Sequence, residues 1–195
     1  MLRKTWLALF GAACVLTTAA CGDATSDGPK EDNLGGHPGN PPEFIESCDA
    51  GALDGPLPNC APEPLPSTGD PAEDCVRRIN QLRWECQCLP PLERWTDAES
   101  CADQHAEYDS TRSPHAGFRD DICANGGFGQ NECPGWGSTQ NVIEGCLQSM
   151  WNEGPGEPFS EHGHYINMTN PRHSMVACGF YTTPDGQIWA VQNFQ

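Results

Sequence analysis

Uncharged, largely apolar positions run from Thr5 to Ala20 behind a basic start, Met1-Leu2-Arg3-Lys4. From Gly22 to Gly69 large apolar residues are sparse, and Gly, Pro, Asp, Asn and Glu dominate. Helical spacing starts at Asp70. Asp70-Pro71-Ala72-Glu73 has the form of a capping box with Pro at the first helical position, and Cys75, Ile79, Leu82 and Cys86 follow as one apolar stripe that Pro90-Pro91 ends. Thr96-Asp97-Ala98-Glu99 reads as a second capping box, opening a helix that turns Cys101, Ala102, His105 and Ala106 one way. Ser138 caps a third, with Val142, Ile143, Cys146, Leu147, Met150 and Trp151 inward, and Gly154-Pro155 stops it. Met175 to Tyr181 and Ile188 to Phe194 read as strands joined by the turn Pro184-Asp185-Gly186. Helices first and a hairpin last give an α+β class.

The pattern divides the chain into three. Residues 1–20 read as a signal peptide: a basic start, a short apolar run and small residues at its end. The ending Leu16-Thr17-Thr18-Ala19-Ala20-Cys21 resembles a bacterial lipobox, with Thr18 where Leu is usual, so Cys21 is expected to carry lipid. The alternative is an ordinary signal cut near Ala20, followed by secretion. Residues 21–69 read as an acidic, Pro/Gly-rich tether with too little apolar surface to repay its ordering entropy. Cys48 and Cys60 interrupt it, and either close a local loop or staple its end to the domain at 70–195.

Charge and cysteine content narrow the class. With 27 acidic and 10 basic side chains the formal net charge is -17, and basic residues do not cluster beyond the N-terminus, which argues against a nucleic-acid partner. The 12 cysteines show no Cys-x-x-Cys knuckle, so disulfides in an extracytoplasmic compartment explain them better than zinc ribbons. Removing Cys14 and lipidating Cys21 leaves an even ten of the 12 for pairing. Cys75 and Cys86 stand about 16 Å apart on one helix and cannot bond to each other. Cys123 and Cys133 flank the Gly126-Gly127-Phe128-Gly129 loop and are the expected local pair.

Three segments carry candidate chemistry: Ser113 to Phe118 with His115, Trp151-Asn152-Glu153, and Glu161 to Tyr165 with His164. Imidazoles from separate segments plus a carboxylate suit an open divalent-metal site. Spacing alone does not say that they converge. His105 faces the apolar side of its helix and reads as a core histidine. Asn167-Met168-Thr169 is a glycosylation sequon, idle in a bacterial lipoprotein.

In order along the chain, Pro91 to Trp95, Ala102-x-x-His105-Ala106, His115 to Phe118, Gly129-Gln130-Asn131, Trp151-Asn152-Glu153, Gly163 to Met168, Val176 to Gly179 and Trp189 to Phe194 resemble the motifs of the CAP superfamily, the cysteine-rich secretory, antigen 5 and pathogenesis-related 1 proteins. The resemblance covers about Asp70 to Gln195. It implies a three-layer α-β-α sandwich, stapled by disulfides, with two His and two acids in a cleft. Carried over, the metal-binding pair is His115 and His164, and Glu153 is one acid. Gln130 stands where the family has the other acid, and its amide neither titrates nor adds charge.

The lipobox and the resemblance together imply a membrane-tethered binding or interaction module at the cell envelope, its partner a lipid, small molecule or protein, with a cleft able to take zinc or another divalent metal. The alternative is a metal-assisted peptidase or esterase in which Glu153 activates a water. The absence of a His-Glu-x-x-His helix and of a Gly-x-Ser-x-Gly elbow favours binding over catalysis. A third reading is a purely structural envelope protein.

Overall fold

The computed structural model describes residues 48–195. The expected signal peptide, the expected lipidation site Cys21 and the expected tether up to residue 47 lie outside the described residues.

Asp70 is the N-cap of α1 (Pro71–Gln87): its Oδ1 accepts from the N–H groups of Ala72 at 3.0 Å and Glu73 at 3.4 Å. The stripe Cys75, Ile79, Leu82 and Cys86 is fully buried. The helix stops at Cys88, which adopts a left-handed conformation, before the two prolines. β1 (Glu93–Arg94) leads into α2 (Thr96–Ser110), whose N-cap is Trp95. The expected second capping box is therefore not made. Arg94 instead takes Glu99, together with Asp70 at 2.7 Å, and so ties the starts of both helices together.

A short helix α3 (Ala116–Arg119) precedes β2 (Gly129–Trp136). The Ser138-capped helix forms as α4 (Thr139–Asn141), a π-helical stretch (Val142–Cys146) and α5 (Leu147–Asn152), with all six expected inward residues buried. α6 (Phe159–Thr169) carries the His164 segment, and the hairpin β3 (Met175–Thr182) and β4 (Ile188–Phe194) closes the chain. Gly186 makes its turn at φ 86°.

The sheet has the order β1-β3-β4-β2, with β1 parallel to β3 and the other pairs antiparallel. Side chains alternate across it. Val176, Cys178, Ile188, Ala190 and Phe194 face α1, the π-helical stretch, α5 and α6, forming the main core. Val191 faces α2 and packs on Ala102 and Ala106. The result is the α-β-α sandwich. At Gly179 a Cβ would lie 2.2 Å from backbone atoms of Ala102 and Asp103, so α2 rests directly on β3. That close approach sets His105 over the sheet.

All ten cysteines of the described chain are paired: Cys48–Cys88, Cys60–Cys86, Cys75–Cys178, Cys101–Cys123 and Cys133–Cys146. Cys75 and Cys86 take separate partners, as an intact helix requires. The expected Cys123–Cys133 pair is not made. Cys133 shares the β2 face of Asn131 and turns toward the π-helical stretch, whereas Cys123 lies against α2 on the other side of the sheet. Cys48 and Cys60 staple the preceding segment to the end of α1, reinforced by hydrogen bonds from Leu53 N to Gln87 O at 3.0 Å and Leu57 N to Cys86 O at 2.8 Å. Residues 48–69 thus pack on the domain.

Candidate functional site: two histidines on either side of an edge strand

β2 is an edge strand, and its alternation organises the site. Gln130 and Glu132 point to the α2 side, Asn131 to the α6 side, and all three are buried. On the α2 side, His115 sits at φ 63°, at the entrance to α3. Its N–H donates to Glu132 Oε2 at 2.7 Å, and its Nδ1 lies 2.8 Å from Gln130 Oε1.

The amide of Gln130 fixes the protons around it. Its Nε2 donates to Asn193 Oδ1 at 3.0 Å and to His105 Nδ1 at 2.9 Å. Its Oε1 is therefore the acceptor, and His115 donates from Nδ1. Conversely, His105 Nδ1 is an acceptor, so the neutral His105 ring carries its hydrogen on Nε2. Burial holds the His105 pKa below the ordinary imidazole value, which keeps the ring neutral.

On the other side, Glu153 follows α5 and meets His164 in α6. Its Oε2 accepts the backbone N–H of His164 at 3.0 Å, and its Oε1 faces His164 Nδ1. A carboxylate only accepts, so Nδ1 is the donor. Asn131 Nδ2 donates to His164 O at 3.0 Å, and Asn167 Nδ2 donates to Asn131 Oδ1 at 2.9 Å and Gln130 O at 3.1 Å. Asn167, the acceptor residue of the sequon, is thus spent inside the fold.

Both imidazoles use Nδ1–H internally, which leaves the lone pair on Nε2. Their side chains are 37% and 36% exposed, so these lone pairs are available to solvent or a ligand. Orientation of a ring through its second nitrogen is what a metal-ligating histidine needs. Glu153 acts here as the orienting group of His164, and Gln130 as that of His115. His115, His164 and Glu153 do not draw together as one tight donor set. Among the described residues the one group of three metal-capable side chains with ligand atoms within 4.8 Å of one another is Cys101, His105 and Cys123. Its two sulfurs are bonded to each other and offer no thiolate.

Glu132 is the site residue that sequence reasoning missed. It is 4% exposed, its Oε1 has no partner among the described residues, and burial pushes its pKa up to about 7. Asp109 of α2 holds the same turn, accepting Gly117 N–H at 2.6 Å, and its pKa is also raised by burial. The available signal was the spacing Gln130-x-Glu132, which puts both side chains on one face if the segment is a strand. His162 donates from Nδ1 to the backbone oxygens of Glu153 at 2.8 Å and Gly154 at 3.0 Å, and so borders the Glu153 turn, while His173 is buried and stacks on Phe194.

Residues 76–194 match the model of the cysteine-rich secretory protein family, CAP. A solved chain described as the structure of BmVAL-1 is similar at 18% identity, covering 70% of this chain and 81% of that one, with a TM-score of 0.48. No curated protein matches the sequence.

Proposed function

Because the chain belongs to the cysteine-rich secretory protein (CAP) family, we propose that it is an extracytoplasmic binding module whose cleft takes a ligand or a divalent metal through His115 and His164. The observation that carries this reading is the matched polarity of the two rings. Each donates Nδ1–H inward, to Gln130 or to Glu153, and keeps its Nε2 lone pair on a part-exposed face. An imidazole nitrogen presented in this way is a ligand that zinc or another divalent ion of borderline softness accepts. A bound ion would supply positive charge and polarise an oxygen of a ligand. This chain's own contribution is orientation: Glu153 fixes His164, Gln130 fixes His115, and the buried Glu132 holds the backbone that presents His115.

Zinc calorimetry on the full mature chain tests the reading. Binding to the wild type that each of His115→Ala and His164→Ala removes supports it. Binding unchanged in both variants, or no binding at all, removes the metal from the proposal.

A second reading, hydrolysis, draws on the Glu153–His164 pair, a carboxylate-oriented imidazole of the kind that serves a general base. Among the described residues no Ser, Thr or Cys side chain reaches either Nε2, so binding is the better-supported reading. An ester and peptide screen, run with and without chelator, separates the two.

Five disulfides in the described domain support an extracytoplasmic location. Among the described residues no helix is long and apolar enough to cross a membrane. We propose attachment through lipid at Cys21, with the partner a lipid, small molecule or protein at the membrane surface. Cys21→Ser should move the protein from the membrane to the soluble fraction, and a wild-type protein already soluble with an unmodified terminus would rule the anchor out.

A further inference from the structure

The five disulfides differ in their surroundings. Cys75–Cys178, Cys133–Cys146 and Cys60–Cys86 are enclosed in the main core. Cys48–Cys88 lies at the start of the described chain, and Cys48 is part-exposed. Cys101–Cys123 joins α2 to the loop after α3, with Cys101 buried and Cys123 part-exposed. It alone, among the described residues, has an imidazole against its sulfurs. His105 Nε2 is 3.3 Å from Cys123 Sγ and 4.0 Å from Cys101 Sγ.

That ring is held as a donor. Cys101 and His105 are four residues apart on α2, which stacks them on one helix face. The amides of Gln130, at 2.9 Å, and Asn193, at 3.3 Å, both approach Nδ1 and leave the hydrogen on Nε2, aimed at the sulfurs. The ring has little room to turn. A Cβ at Gly117 would come 2.9 Å from its Cδ2, and one at Gly126 3.4 Å from its Cε1, while Phe118 meets it edge-on at 6.3 Å. A sulfur in a stable structural bridge needs no such donor. A thiolate released from one does, because hydrogen bonding to the charged form favours it.

We propose that Cys101–Cys123 is a thiol–disulfide exchange site for dithiols, with His105 as the hydrogen-bond donor to the thiolate that leaves. One thiolate of the dithiol attacks the more accessible sulfur, Cys123 Sγ. The S–S bond breaks, and Cys101 leaves as a thiolate 4.0 Å from the Nε2 of His105, which lies nearer, at 3.3 Å, to the Cys123 Sγ released in the second step. The second thiol of the dithiol then attacks the mixed disulfide and releases Cys123. The dithiol is oxidised to its cyclic disulfide, and its two protons end on the two cysteines. The same ring is linked to His115. His105 Nδ1 accepts a hydrogen bond from the amide whose oxygen accepts His115 Nδ1–H, so the state of the disulfide is one residue removed from the orientation of His115.

The test is graded reduction of the full chain by dithiothreitol, with each cysteine pair followed by differential alkylation and peptide mass spectrometry. Cys101–Cys123 is expected to open ahead of the three enclosed pairs. In His105→Leu, which has no donor, its opening should slow about tenfold relative to Cys48–Cys88, the size of one hydrogen bond to a charged group. If Cys101–Cys123 opens no sooner than the enclosed pairs, or at an unchanged rate in His105→Leu, the proposal is overturned. Should His105→Leu fail to fold, nitrogen-15 spectra of the wild-type imidazoles decide. A hydrogen on Nε2 of His105 is expected, and one on Nδ1 overturns the assignment.

Discussion

Glu153 holds His164 twice, taking the backbone N–H of that residue with one carboxylate oxygen and its ring Nδ1–H with the other. Glu153→Gln leaves an acceptor in place but removes the charge that fixes the ring's tautomer. Zinc affinity should then fall by about ten- to a hundredfold, the usual cost of losing such an orienting partner. His164→Ala should abolish binding while the melting temperature stays near that of the wild type, because the ring is part-exposed. Calorimetry and thermal melts check both.

Gln130→Glu is informative in the opposite sense. The amide's two donations, to Asn193 Oδ1 and His105 Nδ1, have no counterpart in a carboxylate. The variant also brings a charge close to the buried Glu132. We expect a loss of about 2 kcal/mol at pH 8, much of it recovered near pH 5, where a protonated carboxyl regains one donor. Urea unfolding at the two pH values measures this, and equal losses at both would count against the amide's assigned role.

Glu132 makes stability depend on pH. Its folded pKa is raised from 4.5 to about 7, so between those values the folded state holds the extra proton. Stability from this group is therefore fully present below about pH 4.5, declines as pH rises, and is gone above about pH 7, a change of about 3 kcal/mol. The groups that face it are the N–H and the ring of His115, whose Nδ1 lies 3.7 Å from Oε2, Asp109 of α2 and Arg119 of α3, and Asp109 shifts in the same direction. His105 works the other way: its lowered pKa makes stability fall as pH drops below the ordinary imidazole value. Glu132→Gln should flatten the decline between pH 5 and 7 while leaving the His105 limb in place. A parallel pair of stability–pH curves would refute the assignment.

Non-reducing peptide maps should link Cys133 to Cys146 and Cys101 to Cys123. Opening the first bridge by the double change to Ser, across a sequence separation of 13, should cost about 3 kcal/mol by the loop-entropy model.

The parts of the fold that were legible in the sequence are those with local signals. Asp70 caps α1, the apolar stripes of α1 and of the Ser138 helix are buried, and Pro184-Asp185-Gly186 turns the hairpin. β2 left no such trace. Gly129-Gln130-Asn131-Glu132-Cys133-Pro134-Gly135-Trp136 lacks β-branched residues, because its side chains are spent on polar contacts to both layers rather than on packing. With β2 unseen, the opposite facing of Cys123 and Cys133 could not be read, and the wrong pair followed. Glu132 was missed for the same reason. His115, Glu153 and His164 were found through resemblance. Their division between two faces of one strand is a tertiary property that sequence order does not carry.

That division gives the Cys133–Cys146 bridge a role apart from its loop entropy. A one-residue slip of β2 along β4 would turn Gln130 and Glu132 toward α6 and Asn131 toward α2, exchanging the supports of the two histidines. The slip would also pull Cys133 off the face from which it reaches Cys146. Pro134 and Gly135, with a register shift between Cys133 and Trp136, interrupt the ladder immediately afterwards, so the strand has few backbone bonds beyond that point to hold its alignment. The covalent link therefore serves as the alignment pin of the edge: it decides which histidine is paired with which support.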